Sequence, residues 1–175
     1  LWTKGEEGAL AAFPPAGIEV ADLASLVLEL SLWGSTDLPF LTPPPIGPMA
    51  EATALLTSLG ALDAGRITAH GRALAAQPLH PRLAHMLVTA GAQAAPLAAL
   101  LASRDPLRGA PTDLSLRIKA LQPRYDGPGQ LNHGAIAQIK TEAARLTKGR
   151  PKKPQMSLAS QAALAYPDRI GLRRK

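Results

Sequence analysis

The sequence contains no cysteine. That excludes disulfides, thiolate zinc sites and cysteine nucleophiles. Aromatic side chains are scarce as well: Trp2, Phe13, Trp33, Phe40, Tyr125 and Tyr166 are all there are, so any core has to be built from aliphatic residues. No apolar run approaches the roughly 20 residues of a membrane-spanning helix, and no membrane partner is expected. The opening Leu1-Trp2-Thr3-Lys4-Gly5-Glu6-Glu7 has neither an initiator Met nor the charged-then-apolar order of a secretion signal. The expectation is a piece cut from a longer cytoplasmic protein.

Catalytic motifs are missing too. There is no GxxxxGK[ST] loop to cradle phosphates on backbone amides, no D-E-A-H box and no G-x-S-x-G elbow. The carboxylates are scattered without a pair placed for acid–base work. His80 and His85 are five residues apart and cannot share one helix face. Capping or exposure is therefore expected of them rather than metal binding. On this reading the chain holds no catalytic, cofactor-binding or metal-binding residues.

What remains is rich in Ala and Leu, with 46% apolar residues in a chain of 175. That composition favours helices. The net charge of +6 is unevenly spread. From Lys140 onward ten Lys and Arg face only Glu142 and Asp168, whereas the first 139 residues carry nine cations against eleven acids. The basic C-terminal end is the part that would attract phosphate.

Residues 1–17 read as a connector, broken by Phe13-Pro14-Pro15-Ala16-Gly17. Apolar spacing predicts a helix from Val20 to Trp33, stopped by Gly34. Pro43-Pro44-Pro45 enforces extended backbone ahead of a second helix over Pro48–Leu59. A turn and short strand over Leu62–Thr68 and a short helix over Ala69–Ala76 complete the pattern of a winged helix across 18–78. Gly60, Gly65 and Gly71 are expected at turns and caps. After Pro78-Leu79-His80-Pro81 the spacing predicts a helical bundle over 79–149, with helices at Arg82–Ala90, Ala95–Ser103, Asp113–Leu121 and Gln130–Leu146. Residues 150–175 read as a basic linker and the start of a further domain. The fold class is thus mainly α: a winged helix with a small β wing, followed by a helical bundle.

Several submotifs then recur in a recognisable order: Leu38-Pro39-Phe40-Leu41-Thr42-Pro43-Pro44-Pro45, Leu59-Gly60-Ala61-Leu62-Asp63, Gly65-Arg66-Ile67-Thr68-Ala69-His70-Gly71-Arg72-Ala73-Leu74-Ala75 and Pro78-Leu79-His80-Pro81-Arg82-Leu83-Ala84-His85-Met86-Leu87. This series resembles the helicase-associated region of DEAH/RHA-type ATP-dependent RNA helicases. Leu1-Trp2-Thr3 is similar to the segment following the last motor motif of such enzymes. Leu101-Ala102-Ser103-Arg104-Asp105-Pro106-Leu107-Arg108-Gly109 and Ala165-Tyr166-Pro167-Asp168-Arg169-Ile170 resemble the bacterial HrpB branch.

The resemblance implies a winged helix and a ratchet-like bundle packed on RecA-like motor domains, completing a channel for single-stranded RNA, with DNA as a second candidate. It further implies that ATP and Mg are held by those motor domains, outside this chain. The basic side chains proposed for nucleic-acid contact are Arg82, Lys119, Arg124, Lys140, Arg145, Lys148, Arg150, Lys152 and Lys153. For Arg82 a structural ion pair is the competing expectation. With Tyr125 the sole aromatic near these residues, contact is expected mainly with the nucleic-acid backbone. Two other classes compete: a stand-alone winged-helix DNA-binding regulator and a protein-interaction scaffold. Glu51 is the only charge on the second helix, which argues against major-groove docking.

Overall fold

The computed structural model describes residues 3–9, 13–35 and 38–171. Leu1 and Trp2 of the N-terminal likeness, and Leu172–Lys175 of the last segment, lie outside them. The stretch expected as a connector contains helix α1 (Lys4–Ala9) and begins a one-turn helix α2 (Gly17–Val20). Helix α3 runs from Ala24 to Trp33 rather than from Val20. The reason is local: Asp22 accepts from the Ala24 amide at 2.8 Å and resets the helix start. Gly34 ends α3, its N–H returning to the Leu30 carbonyl.

Pro45, extended at φ −63 and ψ 137, caps helix α4 (Ile46–Ser58). Strands β1 (Leu62–Asp63) and β2 (Arg66–Ile67) then pair antiparallel in the register Leu62 with Ile67. Ala64 and Gly65 join them with φ of +46 and +76, the left-handed pair that a two-residue turn matched to strand twist requires. Thr68 caps helix α5 (Ala69–Ala75) by accepting from the Gly71 amide. Gly71 is not a turn residue. It is buried inside α5, where a Cβ would run into the Ala61 carbonyl.

Helix α6 (Pro81–Ala90) opens with Pro81 at its first position and His80 as its cap, Nδ1 accepting from the Arg82 amide. A 3-10 turn (Gly91–Ala94) leads directly into α7 (Ala95–Leu101). By length and composition Pro81–Leu101 is apolar enough to cross a membrane, contrary to the sequence expectation. It is also 67% buried inside the protein, and the reason is its position as the spine of the fold. Leu83, Met86, Leu87 and Ala90 of α6 join the core of the bundle. Ala84, with Val88 half-buried beside it, joins a second core made by Leu23, Val27, Leu28, Leu56, Leu62 and Leu74. At about 25 cal/mol per Å² of apolar surface removed from water, full burial of a leucine such as Leu56 or Leu74 contributes roughly 2 kcal/mol.

A two-stranded ribbon follows: β3 (Leu107–Arg108) pairs with β4 (Gln130–Leu131), and α8 (Leu114–Ala120) lies in the connection between them. Buried Arg117 fixes that connection. It donates to Asp105 Oδ2 from Nε and Nη2 at 3.2 and 2.7 Å, and to the carbonyls of Asp113 and Pro111. Helix α9 (His133–Thr147) packs mainly on α7, and α10 (Leu158–Ala165) mainly on α6.

Between α9 and α10, the segment expected as a linker lies along the bundle. Ala92 N donates to Pro151 O, Gln93 Nε2 to Pro154 O, and Met156 N to Gln93 Oε1. Helices α5 and α6 also meet through histidines: His70 Nε2 and His85 Nδ1 are 2.8 Å apart. Burial pushes both imidazoles below their ordinary pKa, helped by the Lys153 charge at His70 and by His70 itself at His85, while the Leu59 backbone acts in the opposite sense.

Candidate nucleic-acid interface

Helix α9 carries Lys140 and Arg145, with Lys148 capping its C-terminal end, and owes its placement to four apolar contacts. Asn132 caps it, accepting from the Ala135 amide at 3.1 Å, and Ala135, Ile136, Ile139 and Leu146 are buried. With that side fixed, the helical period sets His133, Ala137, Lys140, Ala144 and Lys148 in one outward row; all five are exposed. The side chains of Lys140 and Lys148 make no hydrogen bond or ion pair among the described residues. Lys119, near the end of α8, Arg124 in the following loop, and Lys152 are likewise exposed and make no side-chain hydrogen bond or ion pair, though the Lys119 charge helps stabilise the Asp113 carboxylate.

The other four proposed cations are engaged inside the protein. Arg82 donates from Nη1 and Nη2 to the two carboxylate oxygens of Asp168 at 2.5 and 2.9 Å, and from Nη1 to Ala165 O at 3.3 Å. Its guanidinium also lies 5.4 Å from the centre of the Tyr166 ring. Hydrogen bonds from Arg82 hold the Asp168 carboxyl below its ordinary pKa. The structural ion pair weighed for Arg82 is therefore the arrangement found.

Arg145 pairs with Glu142 one turn back, at 2.8 and 2.5 Å. Arg150 donates to Leu146 O at 2.6 Å and to Gln77 Oε1, tying the end of α9 to the winged helix. Lys153 Nζ donates to the Val88 and Thr89 carbonyls at 3.0 Å each, covering the end of α6. Positive charge near open carbonyls at a helix C-terminus is favourable there.

Sequence reasoning passed over a further basic group. Arg104, Arg108 and His133, with Asp105, Leu107, Gln130, Leu131 and Asn132, line a cleft of about 550 Å³ between the β3–β4 ribbon and the start of α9. The first two stand within the Leu101–Gly109 motif without a site role of their own, and His133 has no signal in the sequence. Nothing in the linear sequence announces that Arg108 pairs with Gln130 and so stands beside α9. Among the described residues no group of three or more His, Cys, Asp or Glu is arranged to hold a metal.

No family model matches the chain. Over 118 residues it is 37% identical to the ATP-dependent RNA helicase HrpB of Escherichia coli K12, a match covering 63% of this chain and 14% of that protein. Its fold is similar to a crystal structure of the E. coli DExH-box NTPase HrpB, at a TM-score of 0.74 and 32% identity over 99% of this chain and 21% of that one. A crystal structure of the E. coli DEAH/RHA helicase HrpB gives 0.77 and 32% over 98% and 22%. The chain spans about a fifth of the length of those structures. It is therefore similar in sequence and in fold to a region of HrpB-type DEAH/RHA helicases.

Proposed function

We propose that this chain is an accessory region of an ATP-dependent RNA helicase, and that it forms part of the wall along which a single nucleic-acid strand moves. In this reading ATP and its magnesium ion are handled by RecA-like motor domains outside the described fold. The winged helix is the anchor on those domains, and the bundle shifts against the strand as they open and close. RNA is the expected strand, and single-stranded DNA carries the same phosphates.

The observation that carries the reading is the outward row of α9. Lys140 on α9 and Lys148 at its C-terminal cap are exposed, their side chains without an internal partner among the described residues. An unpaired lysine on a fixed element is free to release a counterion from a phosphate. Lys119, Arg124 and Lys152 are available in the same way. Arg82, Arg145, Arg150 and Lys153 are held by internal partners and serve the scaffold. For docking on the motor, exposed apolar residues surround the α3–α4 connection: Trp33, Leu41 and Ile46 are 74%, 103% and 89% exposed. Apolar side chains grouped this way mark a contact surface.

Fluorescence anisotropy of labelled oligouridylate, measured across a salt series, tests the reading. Binding should weaken as salt rises. The variant Lys140→Ala/Lys148→Ala/Lys152→Ala should show a log–log slope shallower by about 2, from about 0.7 per lost phosphate contact on a single strand. Absence of binding at low salt, or binding indifferent to salt, would refute it.

A further inference from the structure

The cleft between the β3–β4 ribbon and α9 has three cationic or potentially cationic walls, Arg104, Arg108 and His133, and one acid, Asp105. That carboxylate is already occupied. Oδ2 accepts from Arg117 at 3.2 and 2.7 Å, and Oδ1 accepts from the Leu107 amide at 2.9 Å. Burial alone would raise its pKa, but these hydrogen bonds outweigh burial and hold the carboxyl below its ordinary value. Asp105 is thus ionised and neutralised from behind by Arg117.

Arg104 and Arg108 are left without an acid. Both side chains are exposed and make no hydrogen bond or ion pair among the described residues. Their position is not accidental to a loose loop. Arg108 is set by its pairing with Gln130, and that pairing relies on Gly129, where a Cβ would lie 2.9 Å from the Arg108 carbonyl oxygen and 2.8 Å from Ala110 Cβ. The Asn132 amide donates to Pro106 O at 2.8 Å, fixing the start of α9 against the same ribbon.

A guanidinium fork suits the paired oxygens of a phosphate. The cleft contains no Phe, Tyr or Trp on which a base could stack, His133 being its one ring, so a sugar–phosphate backbone fits it better than a nucleotide held by its base. His133 stands at the head of the α9 row that continues through Lys140 to Lys148. At 1.5 Å per residue that row is about 22 Å long.

We propose that the Arg104–Arg108 cleft is a phosphodiester-binding site for a single nucleic-acid strand, which then runs along the outward row of α9. The proposal rests on the function proposed above and adds its entry point: the strand is gripped at the ribbon and carried past Lys140 and Lys148.

The test uses the ¹⁵N-labelled chain with oligouridylate, and separately with inorganic phosphate. Oligouridylate should shift the Arg108, Gln130 and His133 amides saturably. Arg104→Ala/Arg108→Ala should weaken oligouridylate binding at low salt by about tenfold and make the salt slope shallower by about 1.4, two contacts at about 0.7 each. Both side chains are exposed, so the variant's amide spectrum should otherwise match the parent.

Three results would overturn the proposal. Binding unchanged in Arg104→Ala/Arg108→Ala but weakened in Lys140→Ala/Lys148→Ala/Lys152→Ala removes the cleft and leaves the α9 reading intact. Binding by none of these proteins removes both. Cleft amides that respond to inorganic phosphate but not to oligouridylate mark a simple anion site.

Discussion

Replacing Gly71 by alanine should destabilise the protein, although the same exchange inside a helix ordinarily stabilises it. The ordinary gain is about 0.5–1 kcal/mol, from lower unfolded-state entropy and better helix propensity. Here the added Cβ meets the Ala61 carbonyl and lies 2.8 Å from Ile67 Cγ1. Ile67 can rotate away, but the carbonyl cannot move freely. It accepts from Thr68 N at 3.0 Å and from Thr68 Oγ1 at 3.2 Å, and each such bond contributes about 1 kcal/mol. Adding overpacking of about 1–3 kcal/mol, the net loss should be about 2 kcal/mol. In a chain of this size that is a fall of about 4–8 °C in melting temperature.

Urea unfolding followed by circular dichroism measures this directly, as a lower midpoint at unchanged slope. Gly47→Ala is the internal comparison, because a Cβ at Gly47 meets nothing within 4 Å. It should leave the midpoint unchanged or raise it. If Gly71→Ala proves as stable as the parent, the close approach of α5 to the β1–β2 turn is wrong.

Arg117→Ala should cost about 2 kcal/mol, because it strips hydrogen bonds from Asp105, Asp113 and Pro111 while leaving Asp105 exposed enough to hydrate; an unchanged urea midpoint would contradict this. The His70–His85 pair predicts acid sensitivity. Both folded-state pKa values lie below the unfolded value of about 6.5, so the unfolded chain binds more protons as pH falls. The pair's contribution is complete above about pH 6.5 and is lost below it. His85→Gln should flatten the dependence of the urea midpoint on pH between 7.5 and 5, and an identical slope in the variant would refute this assignment.

Much of the helical framework was legible in the sequence, since it follows from local rules. Gly34 and Gly60 end their helices as their positions suggest, and the leucine spacing located α3, α4, α6 and α7 to within a few residues. What stayed hidden depends on contacts distant along the chain. β3 and β4 are two residues each, too short to carry an alternating pattern, and they pair across the whole of α8. The sequence predicts a turn and one short strand over Leu62–Thr68 but not the partner strand, Leu62–Asp63, which is two residues long and closed by Ala64 rather than the Asn or Asp of a typical hairpin. Gly71 reads as punctuation until Ala61 is placed beside it. The basic residues were easy to find but not to rank, because whether a cation is free depends on partners far away. Arg82 meets Asp168 across 86 positions, and Arg150 meets Gln77 across 73.

Helix α6 gives one side to each hydrophobic core, and this has a mechanical consequence. A load applied beside one core is not readily absorbed by bending between two separately packed bodies, since one ten-residue helix gives Leu83, Met86, Leu87 and Ala90 to one core and Ala84 to the other. Displacement of one core should therefore be felt by the other through α6. The same sharing means that melting either core exposes α6 to the other, and unfolding should proceed as one cooperative transition.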